Sequence, residues 1–139
     1  MMINVVIDTN VLISALRSNR GASFKLISLI GTGKFDISLS VPLLLEYEAV
    51  SKRKKFDHLI ETDIDDLLNY LCNVADKRDI FFLWRPFLKD PKDDMILELA
   101  VEAGCEYIIT YNLDDFKGVE QFGVEAITPK QFLIKIGEL

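Results

Sequence analysis

The sequence has few of the side chains on which many metal and nucleophilic sites depend. It contains two cysteines and one histidine in 139 residues. Cys72 and Cys105 are isolated and lack the spacing of metal ligands, so we expect reduced thiols in the core and neither a zinc site nor a disulfide. His58 lies in a charged, surface-like stretch and is not expected to take part in a site.

Long hydrophobic runs are also missing. No apolar stretch approaches the roughly 20 residues that a membrane span requires, and no basic segment followed by a long apolar one is visible near the start. There is no internal repeat, low-complexity tract or Gly/Ser-rich linker. Half of the residues are hydrophobic, which suits one globular domain over residues 1–139. The isolated thiols suit the reducing environment of the cytoplasm.

The sequence has fewer basic residues, 16 Lys and Arg, than acidic ones, 22 Asp and Glu. The formal net charge is −6 and the sequence pI is about 4.8, which argues against a protein that binds nucleic acid through a broad basic surface. It does not exclude nucleic acid if the acidic side chains are concentrated where metal ions neutralise them. The position of the carboxylates therefore matters more than their total.

Strand patterns alternate with helical patterns along the chain. Buried or alternating apolar runs predict strands at residues 5–7, 35–41, 105–110 and 124–128, with a short strand or a packed loop at 79–84. Amphipathic or capped segments predict helices after residue 10, within 21–35, and at 42–54, 63–75, 92–104 and 129–139. This order predicts an α/β fold of three layers, α/β/α, with a central parallel sheet.

The first strand ends in Asp8, Thr9 and Asn10, just before a helix begins. In open α/β sheets the carboxyl ends of the strands are where ligands bind. The same residue types are also good N-caps. On this segment alone, a ligand-binding Asp8 and a simple helix cap explain the sequence equally well.

Glu46 interrupts the pattern of the helix at 42–54. At 100° per residue, Leu43, Tyr47 and Val50 form the apolar stripe of that helix, and Glu46 flanks it. A carboxylate beside a buried stripe needs a partner, a metal or a cavity, because burying it alone is costly. The alternative is that Glu46 extends to the surface or pairs with a nearby lysine.

A run of acidic residues begins the helix at 92–104. Asp90 followed by Pro91 is a good N-cap and first-turn pair, and Asp93 falls where a capping box places its acid. Asp94 is left without such a local duty and becomes the candidate site residue. The alternative for Asp94 is favourable interaction with the helix dipole in the first turn.

A fourth polar group follows the strand at 105–110, in Asn112, Asp114 and Asp115. An ordinary turn would explain them separately. Together with Asp8, Glu46 and Asp94, however, this region brings several oxygen ligands to one sheet edge. Two carboxylates about 4 Å apart repel by roughly 4 kcal/mol at an effective dielectric of 20, and divalent cations relieve that repulsion. An oxygen-only set suits Mg²⁺ or Mn²⁺.

Four blocks in series make the chain resemble the PIN domain family, especially the bacterial and archaeal PIN proteins of toxin–antitoxin systems. They are "VVIDTNVLISAL", "LLLEY", "DPKDDMILELA" and "YIITYNLDDF". The resemblance implies a metal-dependent ribonuclease whose catalytic metal ligands are Asp8, Glu46, Asp94 and Asp115. Many relatives have an Asp where this chain has Asn112, so Asn112 would be a neutral ligand or water anchor. Thr9, Asn10 and Thr110 match polar residues that orient the acids or bind water and phosphate.

The resemblance also implies partners: an RNA substrate, an antitoxin protein and a second copy of the chain in a homodimer. Basic residues after two helices, among them Arg17 and Arg53, would contact phosphates; alternatively they are solvated residues that suit a helix C-terminus. A catalytically inactive PIN fold, serving as an RNA-binding or protein-interaction module, is the alternative function. A phosphoacceptor receiver domain is disfavoured, because no lysine stands in the expected place after the "YIITYN" strand.

Overall fold

The computed structural model describes residues 2–80 and 87–139. Five parallel strands form one sheet in the order β3-β2-β1-β4-β5, flanked by helices in three layers. The strands are β1 (Asn4–Ile7), β2 (Asp36–Leu39), β3 (Asp76–Lys77), β4 (Tyr107–Ile109) and β5 (Glu125–Ile127). The helices are α1 (Thr9–Arg17), α2 (Ala22–Ser28), α3 (Val41–Arg53), α4 (Glu61–Val74), α5 (Pro91–Glu102) and α6 (Pro129–Lys135), with two 3₁₀ turns at Leu113–Phe116 and Val119–Phe122.

This arrangement confirms the predicted α/β class and parallel sheet. The predicted strand or loop at 79–84 lies largely outside the described residues. The edge strand, Asp76–Lys77, was not predicted and comes before that segment. A two-residue strand has no alternation that a sequence pattern could reveal. Among the helices that the structure describes, none is long and apolar enough to cross a membrane.

Strand β1 occupies the centre of the sheet because both of its faces are covered. Val5 and Val6 are fully buried and Ile7 nearly so, as expected of a strand between two helical layers. It pairs with β2 on one side and β4 on the other. The ladder with β4 continues one residue further, since the Asp8 N–H donates to the Ile109 carbonyl at 2.9 Å.

The direction in which successive strands are added to the sheet reverses next to β1. Successive strands step from β1 to β2 and β3 on one side, and the chain then returns to place β4 and β5 on the other. A crevice opens at the carboxyl ends of the strands where such a reversal occurs, and ligands bind there in open α/β sheets. Asp8 directly follows β1, and Thr110 directly follows β4, at this position.

Candidate metal-binding and nuclease site

A cleft of about 550 Å³ opens at the carboxyl edge of β1 and β4. Its walls come from the start of α1, one side of α3, the first turn of α5 and the segment after β4. Acidic, amide, hydroxyl and basic side chains share it, with two aliphatic residues. The lining residues are Asp8, Thr9, Asn10, Ile13, Ser14, Arg17, Glu46, Val50, Lys54, Asp90, Lys92, Asp93, Tyr111, Asn112 and Asp115.

Asp8 is the most enclosed acid of the cleft, with 8% of its surface exposed. The Thr110 hydroxyl donates a 2.7 Å hydrogen bond to Asp8 Oδ2 and holds the carboxylate in place. Asp8 precedes α1 but makes no side-chain cap hydrogen bond. Burial raises the pKa of Asp8, and repulsion from Glu46 and Asp115 adds to this, against the lowering effect of its hydrogen bonds. The simple-cap alternative therefore lacks its defining contact.

Glu46 enters the cleft from α3. Its carboxylate accepts a hydrogen bond from the Thr9 hydroxyl, which joins α3 to the start of α1. The next residue, Tyr47, is buried and donates from its hydroxyl to the Ile7 carbonyl at the end of β1. This second contact fixes the rotation of α3 against the sheet, and Glu46 then faces Asp8 across the cleft.

Asp93, and not Asp94, brings the acid of α5 into the cleft. The pKa of Asp93 is raised to about 7, first by burial and then by repulsion from Asp8, Asp90, Asp115 and Glu46. Such a pKa shift indicates a carboxylate that lies close to other carboxylates, which is typical of functional sites.

The Asp94 carboxylate has a structural contact instead. Asp94 Oδ1 accepts hydrogen bonds from the backbone N–H groups of Phe87 at 3.1 Å and Leu88 at 2.9 Å. The predicted division of roles between Asp93 and Asp94 is thus reversed. The capping interaction is made by Asp90, whose Oδ1 accepts from the Lys92 N–H at 2.9 Å, and no capping box with Asp93 forms.

Helical periodicity in the sequence could have distinguished the two acids. Ile96, Leu97 and Ala100 are almost completely buried. Asp93 precedes them by three, four and seven positions, so it lies on the helix face that packs on the sheet. The capping-box interpretation concealed this signal, because it assigned Asp93 a local role.

The segment after β4 supplies Asn112 and Asp115, as the sequence predicted for this edge. The Asn112 N–H donates to Thr110 Oγ1 at 3.0 Å, and the Asp115 N–H donates to the Asn112 carbonyl at 3.0 Å. Asn10 Nδ2 also contacts Thr110 Oγ1, at 3.5 Å. Thr110 does not line the cleft, but it connects Asp8, Asn10 and Asn112 from a fully buried position.

Of the residues that the structure describes, three cations line the cleft: Arg17, Lys54 and Lys92. Arg53, the predicted phosphate contact, is exposed and does not. From α3 and its C-terminal end, every fourth residue (46, 50 and 54) lines the cleft. Arg53 falls outside that series. Among the ion pairs of the described residues, none joins Asp8, Glu46, Asp93 or Asp115 to a cation.

The donor set suits a hard divalent cation in kind and in charge. Among the described residues, five carboxylates and two amide side chains line the cleft. Burial raises the pKa values of Asp8 and Asp93, and repulsion from neighbouring carboxylates, which a cation would relieve, raises them further. Within residues 2–80 and 87–139, no three Asp, Glu, His or Cys side chains are already close enough together to hold a metal ion.

Fold and cleft together define an α/β protein with an acidic, oxygen-donor site at the switch point of a parallel sheet. A family model described as "PIN domain" matches residues 4–114. The chain belongs to the PIN domain family, whose members are generally nucleases that use divalent metal ions. Asp8, Glu46 and Asp93 lie inside the matched range, and Asp115 follows it directly.

A solved structure supports the same fold. The chain resembles one in the crystal structure of VapBC2 from Rickettsia felis bound to a DNA fragment from their promoter, with a TM-score of 0.61 and 13% sequence identity. The match covers 89% of this chain and 97% of that one. At this identity the likeness shows a shared fold. A search of curated proteins finds no match.

Proposed function

We propose that this protein is a Mg²⁺- or Mn²⁺-dependent endoribonuclease that hydrolyses RNA phosphodiester bonds. The observation that carries the proposal is the crowding of Asp8, Glu46, Asp93 and Asp115 in one cleft without a paired cation among the described residues. Membership of the PIN family supports nuclease chemistry.

In this proposal the four carboxylates hold the metal, and Asn112 contributes a neutral oxygen. When bound, the metal polarises a phosphoryl oxygen and lowers the pKa of a water molecule for attack. The protein itself positions the ligands: Thr110 orients Asp8, and Thr9 orients Glu46. Arg17, Lys54 and Lys92 provide positive charge for the phosphates that flank the cleaved bond.

The substrate must approach a protein whose formal charge is −6. Two divalent ions in the cleft would add four positive charges and leave −2, which eases approach of a polyanion. Replacing a carboxylate by Asn112 weakens the hold on a second cation, so one metal ion is favoured over two.

We further propose that the protein is the toxin of a toxin–antitoxin pair in the cytoplasm, folded as one domain and assembled as a homodimer. The structural likeness to a chain of the VapBC2 complex supports the antitoxin partner. The antitoxin partner would cover the acidic cleft and thereby block access of RNA.

RNA cleavage with matched variants tests the enzymatic proposal. A mixed pool of structured and single-stranded RNAs is incubated with Mg²⁺ or Mn²⁺, or with EDTA. Asp8→Asn and Asp93→Asn should abolish cutting, while Asp114→Asn, an exposed acid outside the cleft, should retain it. Cleavage that survives EDTA or both cleft substitutions in folded protein would contradict the proposal.

The alternative is a PIN fold without catalysis that acts as an RNA-binding or protein-interaction module. Asn112 in the cleft and the absence of a preformed metal cluster in the described part of the chain favour it. Calorimetric titration with Mg²⁺ and Mn²⁺ separates the two functions. If the protein binds neither ion and cuts no RNA, the module without catalysis is established.

A further inference from the structure

Tyr111 has an unusual placement at the edge of the cleft. It follows Thr110 at the end of β4 and lines the cleft beside Asn112. Its hydroxyl forms a hydrogen bond with the hydroxyl of Ser23 on α2, and Ser23 is almost fully buried. Its backbone N–H donates to Asn10 Oδ1 at 3.4 Å. Contacts therefore hold Tyr111 at both its backbone and the tip of its side chain.

Despite these contacts, 44% of Tyr111 is exposed. An exposed tyrosine commonly packs its ring on the protein and turns its hydroxyl to water. Tyr111 does the reverse, because its hydroxyl is directed to a buried serine while much of the residue stays open beside the cleft. The result is a fixed aromatic surface next to the acidic residues.

Fixed aromatic surfaces of this kind bind unpaired bases by stacking, which tolerates different base identities because every base has a π-face. We propose that Tyr111 stacks on the base of a nucleotide adjacent to the cleaved phosphodiester. This inference rests on the proposed ribonuclease function. Bases inside a duplex are stacked on each other and cannot be presented to Tyr111 in this way.

A groove with basic side chains adjoins the cleft and could bind the phosphates of an unpaired strand beyond the acidic residues. Lys54 lines both the cleft and an adjoining groove that also contains Lys55 and Phe56. Lys52 lies in that groove too, but it is neutralised by Glu48, Glu61 and Asp65 at 2.7–3.6 Å. Lys54 and Lys55 form no ion pair within the described residues, so their charge is available to phosphates.

Equilibrium binding tests the inference in an Asp8→Asn background with Mg²⁺, in which RNA is bound and not cut. Four probes are compared: a single-stranded oligoribonucleotide that the wild-type protein cleaves, the same strand in a duplex, and two strands with one abasic nucleotide, placed on the 5′ or on the 3′ side of the mapped cleavage site. The variants are Tyr111→Ala, Tyr111→Phe and Tyr70→Ala. Tyr70 is a matched control, since it is 43% exposed, its hydroxyl donates to the Ile30 carbonyl at 2.8 Å, and it lies outside the cleft.

We expect Tyr111→Ala to weaken binding of the intact single strand about tenfold, the usual scale for loss of one stacked base. Tyr111→Phe, which keeps the ring, should restore most of that affinity, and Tyr70→Ala should change it by less than about twofold. The abasic strand that lacks the stacked base should bind the Tyr111→Ala variant and its parent equally. The duplex should bind more weakly than the single strand.

Two results would overturn the inference alone: an equal loss on every abasic strand and on the intact one, or a duplex that is bound as tightly as the single strand. The first would mean that Tyr111 acts only by supporting the loop, and the second would mean that no unpaired base is needed for binding. If the wild-type protein cuts no RNA and the Asp8→Asn protein binds none, the proposed function itself fails, and the inference fails with it.

Discussion

Neighbouring residues with the same side chain have different physical environments in this protein. Asp93 lies in a cleft with four other carboxylates, whereas the Asp94 carboxylate accepts hydrogen bonds from two backbone N–H groups of the segment that leads into α5. The carboxylate of Asp93 is in an unfavourable environment unless a cation is bound. The carboxylate of Asp94 is in a favourable environment. Substitutions at the two positions should therefore have separable effects on stability and on function.

Asp94→Ala should lower the free energy of unfolding by about 2 kcal/mol, because the N–H groups of Phe87 and Leu88 lose a charged acceptor. Asp114→Ala is the matched control. The Asp114 side chain is 93% exposed, and it forms a long ion pair of 3.8 Å with Lys117, which is 80% exposed. Its loss should therefore change stability by less than about 0.5 kcal/mol. Denaturant unfolding measures both. Equal stabilities of the two variants would contradict the structural role of Asp94.

Asp93 should make the stability of the metal-free protein depend on pH. Its pKa is about 7 in the folded state and near 3.8 in the unfolded state, so between these values the folded state binds more protons. Stability therefore decreases as pH rises from about 4 to about 7, with a slope of at most roughly 1.4 kcal/mol per pH unit from this group.

The measurement is the difference in unfolding free energy between wild type and Asp93→Asn as a function of pH, in EDTA. We expect wild type to lose stability relative to Asp93→Asn up to pH 7 and the difference to level off above it. Asp114→Asn should show no such trend relative to wild type. A difference that does not vary with pH would mean that Asp93 is not crowded by the other acids.

At the level of secondary-structure elements, the turn after α2 controls how α4 packs. Gly31 and Gly33 both have positive φ, at 82° and 90°. A Cβ on Gly31 would lie 2.2 Å from the Tyr70 hydroxyl of α4, whereas a Cβ on Gly33 would meet nothing within 4 Å. The Tyr70 hydroxyl that would be displaced donates to the Ile30 carbonyl.

Gly33→Ala should therefore cost only the backbone strain of a left-handed residue, about 1 kcal/mol. Gly31→Ala should cost about 1 kcal/mol more, because Tyr70 must move and its hydrogen bond is lost. Thermal or denaturant unfolding gives both values. In a Tyr70→Phe background the extra cost of Gly31→Ala should largely disappear; if it persists, the contact with Tyr70 is not its cause.

At the level of the whole molecule, the acidic cleft links stability to divalent cations. A ligand that binds only the folded state stabilises it by about 2.7 kcal/mol when present at 100 times its Kd. Mg²⁺ or Mn²⁺ should thus raise the melting temperature of wild type, and Asp8→Asn should not respond. Sodium chloride at equal ionic strength is the control for screening. A shift of the same size in both proteins would show that the ions act outside the cleft.

Much of the fold was determined by local patterns in the sequence. The apolar run before Asp8 predicted a buried strand, and the alternation of strand and helix patterns predicted a parallel sheet, which the structure confirms. Pro42, Pro91 and Pro129 correctly marked the beginnings of α3, α5 and α6. These signals work because burial periodicity and proline geometry act within a few residues of each other.

The sequence also determined that acids from distant segments meet at one sheet edge, since parallel strands share the direction of their carboxyl ends. Only the tertiary structure decided which acid of a pair enters the cleft and which cations accompany it. Asp93 and Asp94 differ by one step of 100° around α5, and Asp94 is held by N–H groups of Phe87 and Leu88. Tyr111 likewise became distinctive only through Ser23, which is 88 positions away in the chain. Contacts of this kind depend on packing between elements, which local sequence patterns do not specify.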